Sequence, residues 1–282
     1  MRRRAFRRGF ARVDDAETRS REWNELIGTG RKFHLVHGRE TYIVHTHDPI
    51  GRHIYFHGEY DFDKVERSIR LLGWHSLRTL VDVGANIGTV CIPAVGRGVA
   101  EQAIAIEPDP VNVALLRANV AMNGLDGRIR CIENAVGPDD HREVLLELSE
   151  ENKGDHRIAS ASGVTRDRRA VSVQMRRLDS LVPSLDPSRD LIFMDVQGYE
   201  KNVLDGADLH MSAHVPIVME LWPEGMMDHC GFEDLFAVVS RYSHFYDLDP
   251  AAAPVPIPIE KLGEVWDEFH RSDAGFGDIL LV

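Results

Sequence analysis

The chain has 282 residues, 45 acidic against 33 basic, a formal net charge of −12 and 43% hydrophobic residues. This length suits one large domain with appendages or two small domains, and the acidic balance argues against general nucleic-acid binding, which needs a basic footprint. No stretch is apolar long enough to span a membrane. Cys91, Cys131 and Cys230 are odd in number, widely spaced and without a CxxC, which suits buried thiols in a reducing cytoplasm rather than disulfides or a zinc site.

Arg2, Arg3, Arg4, Arg7 and Arg8 open the chain, and Asp14, Asp15 and Glu17 arrive where a signal peptide would need an apolar run. Residues 1–30 are charged and weakly patterned, and the arginines read as a solvated tail. Residues 33–36 and 41–45 flank His37-Gly38-Arg39-Glu40, the pattern of a β-hairpin. Residues 48–60 carry Ile54, Tyr55 and Phe56 and are expected to add another strand. On a strand His53 and His57 would stand roughly 13 Å apart, too far to share an ion. Phe62, Val65, Ile69 and Leu72 fall at helical spacing and predict an amphipathic helix. Residues 1–75 are therefore expected to form an N-terminal extension of tail, hairpin and helix, with residues 76–282 as the main domain.

From Thr79 the pattern changes. Short Val- and Ile-rich runs at 80–83, 103–106, 129–132, 191–194 and 215–219 alternate with helical patterns. Continuous apolar strands between helices predict an α/β fold, a mostly parallel sheet covered by helices on both faces. Residues 111–123 give the clearest helix, with Pro110 in its first turn and Gly124 ending it. Strands are expected around 144–146 and 171–173, separated by a polar insert loop at 149–170, a length that usually signals function or disorder. A helix at 233–239 and closing strands at 245–248 and 278–282 follow. Pro254, Pro256 and Pro258 predict an extended loop between them.

The most informative stretch is Leu80-Val-Asp82-Val-Gly84-Ala85-Asn86-Ile-Gly88-Thr-Val, which reads as buried strand, glycine loop and helix start. Ligands of an open parallel sheet bind at the carboxyl ends of its strands, and glycine lets the backbone turn sharply and a ligand come close. Glu107 falls at the tip of the next strand. A carboxylate there can accept hydrogen bonds from both hydroxyls of an adenosine ribose, each worth roughly 1.5–3 kcal/mol. A dinucleotide would want G-x-G-x-x-G with its pyrophosphate on the helix N-terminus. Position 86 is Asn, and the charge of Asp82 would face that anion. S-adenosylmethionine, with a positive sulfonium and an amino group able to pair with Asp82 or a loop carbonyl, suits the outline better. The plainer alternative is that Asp82 only caps the turn that follows it.

Asp82-Val-Gly-Ala-Asn-Ile-Gly-Thr, then Glu107-Pro-Asp, Asn134-Ala-Val-Gly, Met194-Asp195-Val-Gln-Gly198-Tyr-Glu200 with Val203-Leu204-Asp-Gly206-Ala207, and Met219-Glu220 together resemble the FkbM family of S-adenosylmethionine-dependent methyltransferases. Asp48-Pro-Ile-Gly-Arg-His-Ile-Tyr-Phe is similar to the segment preceding the core in that family, so the resemblance spans residues 45–225. It implies a Rossmann-like seven-stranded sheet and O-methylation of sugars or polyketide-type natural products. By the same resemblance Asp82, Gly84, Ala85, Asn86 and Gly88 would line the methionine part of the cofactor, Glu107 would hold the ribose, Pro108 and Asp109 would flank the adenine side, and Asn134 and Ala135 would meet the adenine ring.

Methyl transfer to a hydroxyl is an in-line displacement. Alignment supplies about 7–11 kcal/mol and a general base roughly 10²–10⁴-fold. Asp195, ending an apolar strand beside the cleft, is the first candidate base. Binding the cofactor's amino group or capping the next helix are its alternatives. Glu200 suits a first helical turn and Glu220 ends the fifth strand, and both are candidates to meet a substrate. The loop Asn152-Lys153-Gly154-Asp155-His156-Arg157 supplies a second candidate base, His156, with Lys153, Asp155 and Arg157 as acceptor ligands. Asp195, Glu200 and Glu220 could converge on Mg²⁺, but no dense carboxylate motif demands it and no metal is expected. The acceptor pocket is expected from residues 150–170, 197–200, 222–230 and 250–270. The combined expectation is a cytoplasmic S-adenosylmethionine-dependent O-methyltransferase acting on a small hydroxylated molecule, with neither nucleic acid nor membrane as partner and a homo-oligomer allowed. A nicotinamide-dependent oxidoreductase and a non-catalytic adenosine-binding module are the competing readings.

Overall fold

Alternate residues along the central strands feed two separate hydrophobic clusters. Val81, Val83, Ile192, Met194, Ile217 and Met219 face one, and Leu80, Ala103, Leu191, Phe193 and Val218 face the other. Such strands are apolar on both sides because both faces of their sheet are covered. The computed structural model describes residues 16–160, 163–165, 168–272 and 275–282. The arginine tail expected to be solvated lies outside the described residues.

The chain begins with α1 (Ala16–Gly28), the hairpin β1 (Phe33–His37) and β2 (Thr41–His45), α2 (Pro49–His57) and α3 (Phe62–Leu71). It continues as β3 (Leu77–Val83), α4 (Cys91–Gly96), β4 (Ala100–Glu107), α5 (Pro110–Met122), β5 (Ile129–Glu133), β6 (Ala135–Val136), β7 (Arg142–Leu148), β8 (Arg157–Ile158) and β9 (Arg169–Arg176). Then come α6 (Leu178–Leu181), β10 (Asp190–Met194), α7 (Glu200–Asp205), α8 (Asp208–Ser212), β11 (Ile217–Leu221), α9 (Pro223–Met226), α10 (Phe232–Val239), β12 (His244–Asp247), β13 (Ile257–Pro258), α11 (Leu262–Arg271) and β14 (Gly277–Leu281).

The central sheet is Rossmann-like, in the order β13-β12-β14-β11-β10-β3-β4-β5. Strands β11, β10, β3, β4 and β5 are parallel, and β14, β12 and β13 run antiparallel at one edge. The eighth strand, β13, is a two-residue addition in a region expected to be wholly loop, and its Pro258 sits at the sheet edge, where a missing N–H costs no ladder bond. Chain order runs outward from β3 to β4 and β5, then returns to place β10 on the other side of β3. The junction of β3 and β10 is the switch point at which such sheets open a crevice.

Two local expectations are corrected. Residues 48–57 form a helix, not a strand. The Asp48 carboxylate accepts the Gly51 N–H (3.0 Å), Pro49 occupies the first turn, and Gly58 closes the helix at φ 84°. These are the ordinary start and stop signals of a helix, and they outweigh the apolar run Ile54-Tyr55-Phe56. The insert at 149–170 is also not all loop, because β8 and the start of β9 lie within it. Strands β7, β8 and β9 are antiparallel and join β6 in a second sheet, order β6-β9-β7-β8.

The N-terminal hairpin is pinned to α5 by side-chain amides. Asn119 Oδ1 accepts the Ile43 N–H (2.7 Å) and Asn123 Oδ1 accepts the Thr41 N–H (2.9 Å), which satisfies one edge of β2. Lys64 of α3 bridges Asp278 of β14 at 2.7 Å. These contacts bring the α2–α3 junction to the carboxyl ends of β3 and β10. Among the described residues no helix is long and apolar enough to cross a membrane. Cys91 and Cys230 are buried, Cys131 is half-buried, and all three are free thiols.

Candidate active site

A cleft of about 960 Å³ opens at the carboxyl ends of β3, β4 and β10. After β3 the chain turns at Gly84 with φ 86°, and a Cβ there would lie 1.9 Å from the Asp195 carbonyl oxygen. Only glycine lets the two strand ends cross this closely. Asn86 is itself left-handed (φ 49°), which turns its N–H onto Glu107 Oε2 at 2.9 Å. The Asp109 N–H reaches Glu107 Oε1, also at 2.9 Å. Each carboxylate oxygen thus has one backbone donor and a further lone pair for a ligand hydroxyl. Burial pushes the Glu107 carboxyl up to about 7, against these two backbone bonds.

The residues fit S-adenosylmethionine. Beyond the Glu107 cradle, the wall contains Asn112, whose Oδ1 is buried without a hydrogen-bond partner, while its Nδ2 donates to the Lys153 carbonyl (3.2 Å). A buried orphan acceptor is costly unless a ligand donor meets it. Asn112 was not anticipated; with Asn119 it is a polar residue on the buried face of α5. Ala85, Pro108, Asn134 and Ala135 line the cleft, with the Asn134 amide donating to the Gln174 carbonyl (3.0 Å). Asp82 also lines it, but its Oδ2 accepts the Cys91 N–H (3.1 Å) at the start of α4, and burial raises its carboxyl to about 7. Asp82 therefore holds the first N–H of α4 from a position in the cleft wall.

Two cofactor candidates serve packing instead. Gly88 is absent from the wall; its missing Cβ makes room for Ile92 and Leu116, whose nearest atoms would lie 2.6 and 3.0 Å away. Asp109 turns from the cleft to cap α5, its Oδ2 accepting the Asn112 N–H at 3.0 Å.

Asp195 ends β10 in the cleft wall, half-buried. Its Oδ1 accepts from the Gln197 side chain at 2.6 Å, and burial, then Asp61, raises its pKa. Glu200 and Glu220 lie behind it rather than in the wall, which corrects their assignment to substrate. Oxygens of the three carboxylates lie within 4.8 Å of one another. Glu200 Oε1 accepts the N–H groups of Val196 (3.1 Å) and Gly198 (3.4 Å), while its Oε2 has no hydrogen-bond partner. Burial and then the neighbouring Asp195 and Glu200 charges push Glu220 up to about 10, so it holds a proton at neutral pH. Burial pushes Glu200 to about 7.

His156 lines the cleft but is not placed as a base. The Ser149 N–H donates to its Nδ1 at 3.0 Å, so in the neutral ring the proton sits on Nε2, which lies 3.8 Å from Asp109 Oδ2. Neither nitrogen offers a free lone pair to a substrate. Burial pushes the ring to about 4, against the pull of Asp109. Lys153 lines the cleft, with its ammonium on the Ser149 carbonyl (2.7 Å) and its N–H on Asp48 Oδ1 (2.8 Å). Asp155 pairs with Arg157 and Arg168, and the Arg157 guanidinium stacks 4.5 Å over Trp222. Neither Asp155 nor Arg157 lines the cleft, a second correction to the acceptor ligands.

The N-terminal segment supplies wall residues that no sequence signal marked. Ile50, Tyr60 and Asp61 line the cleft, Asp61 at φ 60°. Lys64 holds Asp61 at 3.0 Å.

A mostly parallel sheet with a glycine crossing after its first strand and a buried carboxylate at its second defines an S-adenosylmethionine-binding methyltransferase fold. Residues 82–249 match the family model described as the methyltransferase FkbM domain. The chain belongs to the FkbM methyltransferase family, whose cofactor is S-adenosylmethionine. Among solved structures it is similar to methyltransferase FkbM from Methylobacillus flagellatus KT, with 16% identity, 73% of this chain and 44% of that chain covered, and a TM-score of 0.44. It is also similar to P. horikoshii TYW2 in complex with MeSAdo (15% identity, 89% and 70% covered, TM-score 0.41). M. jannaschii TYW2 in complex with AdoMet is a third (12% identity, 89% and 84% covered, TM-score 0.42). The chain spans less than half the length of the M. flagellatus protein. No curated protein matches the chain.

Proposed function

We propose that this protein transfers a methyl group to a hydroxyl of a small molecule, a sugar or a natural-product intermediate. S-adenosylmethionine, when bound, supplies a methyl carbon activated by its sulfonium. Glu107 would accept the ribose hydroxyls, Asn112 would offer its unpartnered carbonyl, and the Gly84 crossing sets Asp195 beside the glycine loop. Ile50 and Tyr60 complete the cleft wall.

The observation that carries the reading is Asp195. It is a half-buried carboxylate in the cleft wall beside Gly84, with one oxygen held by Gln197 and a pKa raised by burial and then by Asp61. With the cofactor held by the Glu107 cradle, its sulfonium would supply the methyl group to the acceptor oxygen and keep the carbon–sulfur electron pair, and Asp195 would take the hydroxyl proton. A nicotinamide reading finds no support at Asn86, whose side chain replaces the glycine a pyrophosphate needs.

Asp195→Asn tests the role. Turnover is expected to fall roughly 10²–10⁴-fold with S-adenosylhomocysteine affinity, measured by titration calorimetry, unchanged. A near-normal rate would overturn it, and loss of S-adenosylhomocysteine binding would make Asp195 a cofactor ligand instead.

A further inference from the structure

A second cavity, of about 1350 Å³ including its open mouth, lies beside the cleft between α1, the β2–α2 turn and α2. Tyr60 belongs to the walls of both. Its hydroxyl is held protonated well above the usual range by burial, then by Asp61 and Asp195, so it stands as a hydrogen-bond donor where the two spaces meet. The acceptor region was expected from residues 150–170, 197–200, 222–230 and 250–270; Glu151 comes from those ranges, and the rest of this groove is built by the N-terminal elements.

Its wall along α2 carries one guanidinium, Arg52, and the rings of His53, Phe56 and His57. Because residues 49–57 are helical, His53 and His57 are one turn apart and share a face. Their rings lie 4.3 Å apart, and His53 meets Tyr60 edge-on at 5.2 Å. These rings form a stair from the groove to the cleft. Arg52 stacks 5.0 Å over Phe56 and forms no ion pair among the described residues. His47 lines the groove as well. Two acidic residues face it. Asp48 has both oxygens committed to the N–H groups of Gly51 and Lys153, and Glu151 is exposed. Arg52 is thus an unpaired guanidinium beside three histidine rings, in a wall that also holds the carboxylates of Asp48 and Glu151.

We infer that this groove binds the acceptor and that the acceptor is a hydroxylated anion, a sugar carboxylate or a sugar phosphate. Arg52 would take the anionic group, since a guanidinium fork matches both carboxylate and phosphate. The ring faces would carry the C–H surface of the sugar, and a hydroxyl would pass Tyr60 to Asp195. The inference rests on the O-methyl reading above.

The test uses the full chain saturated with S-adenosylhomocysteine at pH 7. Binding of D-glucuronate, D-glucose 6-phosphate and neutral methyl β-D-glucoside is measured by ligand-observed NMR and calorimetry. At least one anion is expected to bind tenfold or more tightly than the glucoside, and the two anionic arms separate carboxylate from phosphate recognition. Arg52→Gln, on an exposed side chain, is expected to weaken anion binding at least tenfold and leave S-adenosylhomocysteine affinity unchanged, with Arg52→Lys recovering part of the loss. Equal binding of anion and glucoside, no anion binding, or indifference to Arg52→Gln would overturn the inference. Methyl transfer from labelled cofactor separates the two readings. O-methylation of neutral acceptors by the Arg52→Gln variant at full rate would leave O-methyl transfer standing and sink the groove. Arg52-dependent anion binding with the methyl recovered on nitrogen or carbon would sink O-methyl transfer alone.

Discussion

Gly84 and Asp195 meet where β3 and β10 end, so close that a single methyl group on Gly84 would sit 1.9 Å from the Asp195 carbonyl oxygen. This crossing joins the glycine loop of the cofactor cradle to the proposed base. The obstacle is backbone rather than a flexible side chain, so the strand ends themselves would have to separate.

Gly84→Ala therefore combines a clash with a left-handed φ of 86°. The conformation alone costs about 1–2 kcal/mol for a residue with a Cβ. The variant is expected to lose several degrees in melting temperature and at least tenfold in S-adenosylhomocysteine affinity. Wild-type values in thermal unfolding and calorimetry would show that the crossing can relax.

Glu107→Gln keeps the volume but turns an NH₂ group towards one of two backbone N–H donors and removes the charge that the ribose hydroxyls are proposed to meet. Hydrogen bonds to a charged group contribute about 1.5–3 kcal/mol. Affinity for S-adenosylhomocysteine should drop by about one to two orders of magnitude, while an acceptor's own binding is unaffected. Calorimetry with each ligand in turn checks this.

His156→Gln is expected to retain turnover within about threefold, because His156 already spends Nδ1 on the Ser149 N–H. Stability should fall by about 1–2 kcal/mol from the poorer fit of a buried partner. A collapse in kcat with normal stability would return His156 to the chemistry.

Burial raises the carboxyls of Asp82, Glu107 and Glu200 to about 7 and that of Glu220 to about 10. A carboxyl that holds its proton more tightly when folded contributes stability in full below its unfolded pKa. That contribution is lost as pH rises through the folded value. His156, lowered to about 4, has the opposite sign: its contribution is present above its unfolded pKa of 6.5 and is lost as pH falls towards 4. The ligand-free protein should melt at progressively lower temperature from about pH 6 to about pH 9. S-adenosylhomocysteine should lessen the fall, because its ribose hydroxyls favour ionised Glu107. A melting temperature that rises across this interval would contradict the assignment.

Local signals carried the sequence reading where the physics is local. Strand periodicity places Val81, Val83, Ile192 and Met194 on one face of the sheet, and the Gly84 turn and the Glu107 strand tip are properties of a few consecutive residues. The family-bearing motifs lie in these same segments. The strand expected around Ile54 failed because an apolar triplet was weighted above Asp48, Pro49 and Gly58, although those three caps were present in the sequence. The remainder needed the folded chain. Whether a carboxylate such as Glu220 faces the cleft or stands behind Asp195 depends on three strands and a helix packing together. Which His156 nitrogen is occupied depends on the Ser149 backbone. That Tyr60 and Asp61 complete the wall depends on hairpin and helix contacts to α5 and β14, which join residues far apart in the chain. Sequence alone determined the glycine turn after β3 and the carboxylate at the tip of β4, because each is a property of a few consecutive residues. Tertiary structure decided which residues share the cleft wall, because long-range packing brings them together.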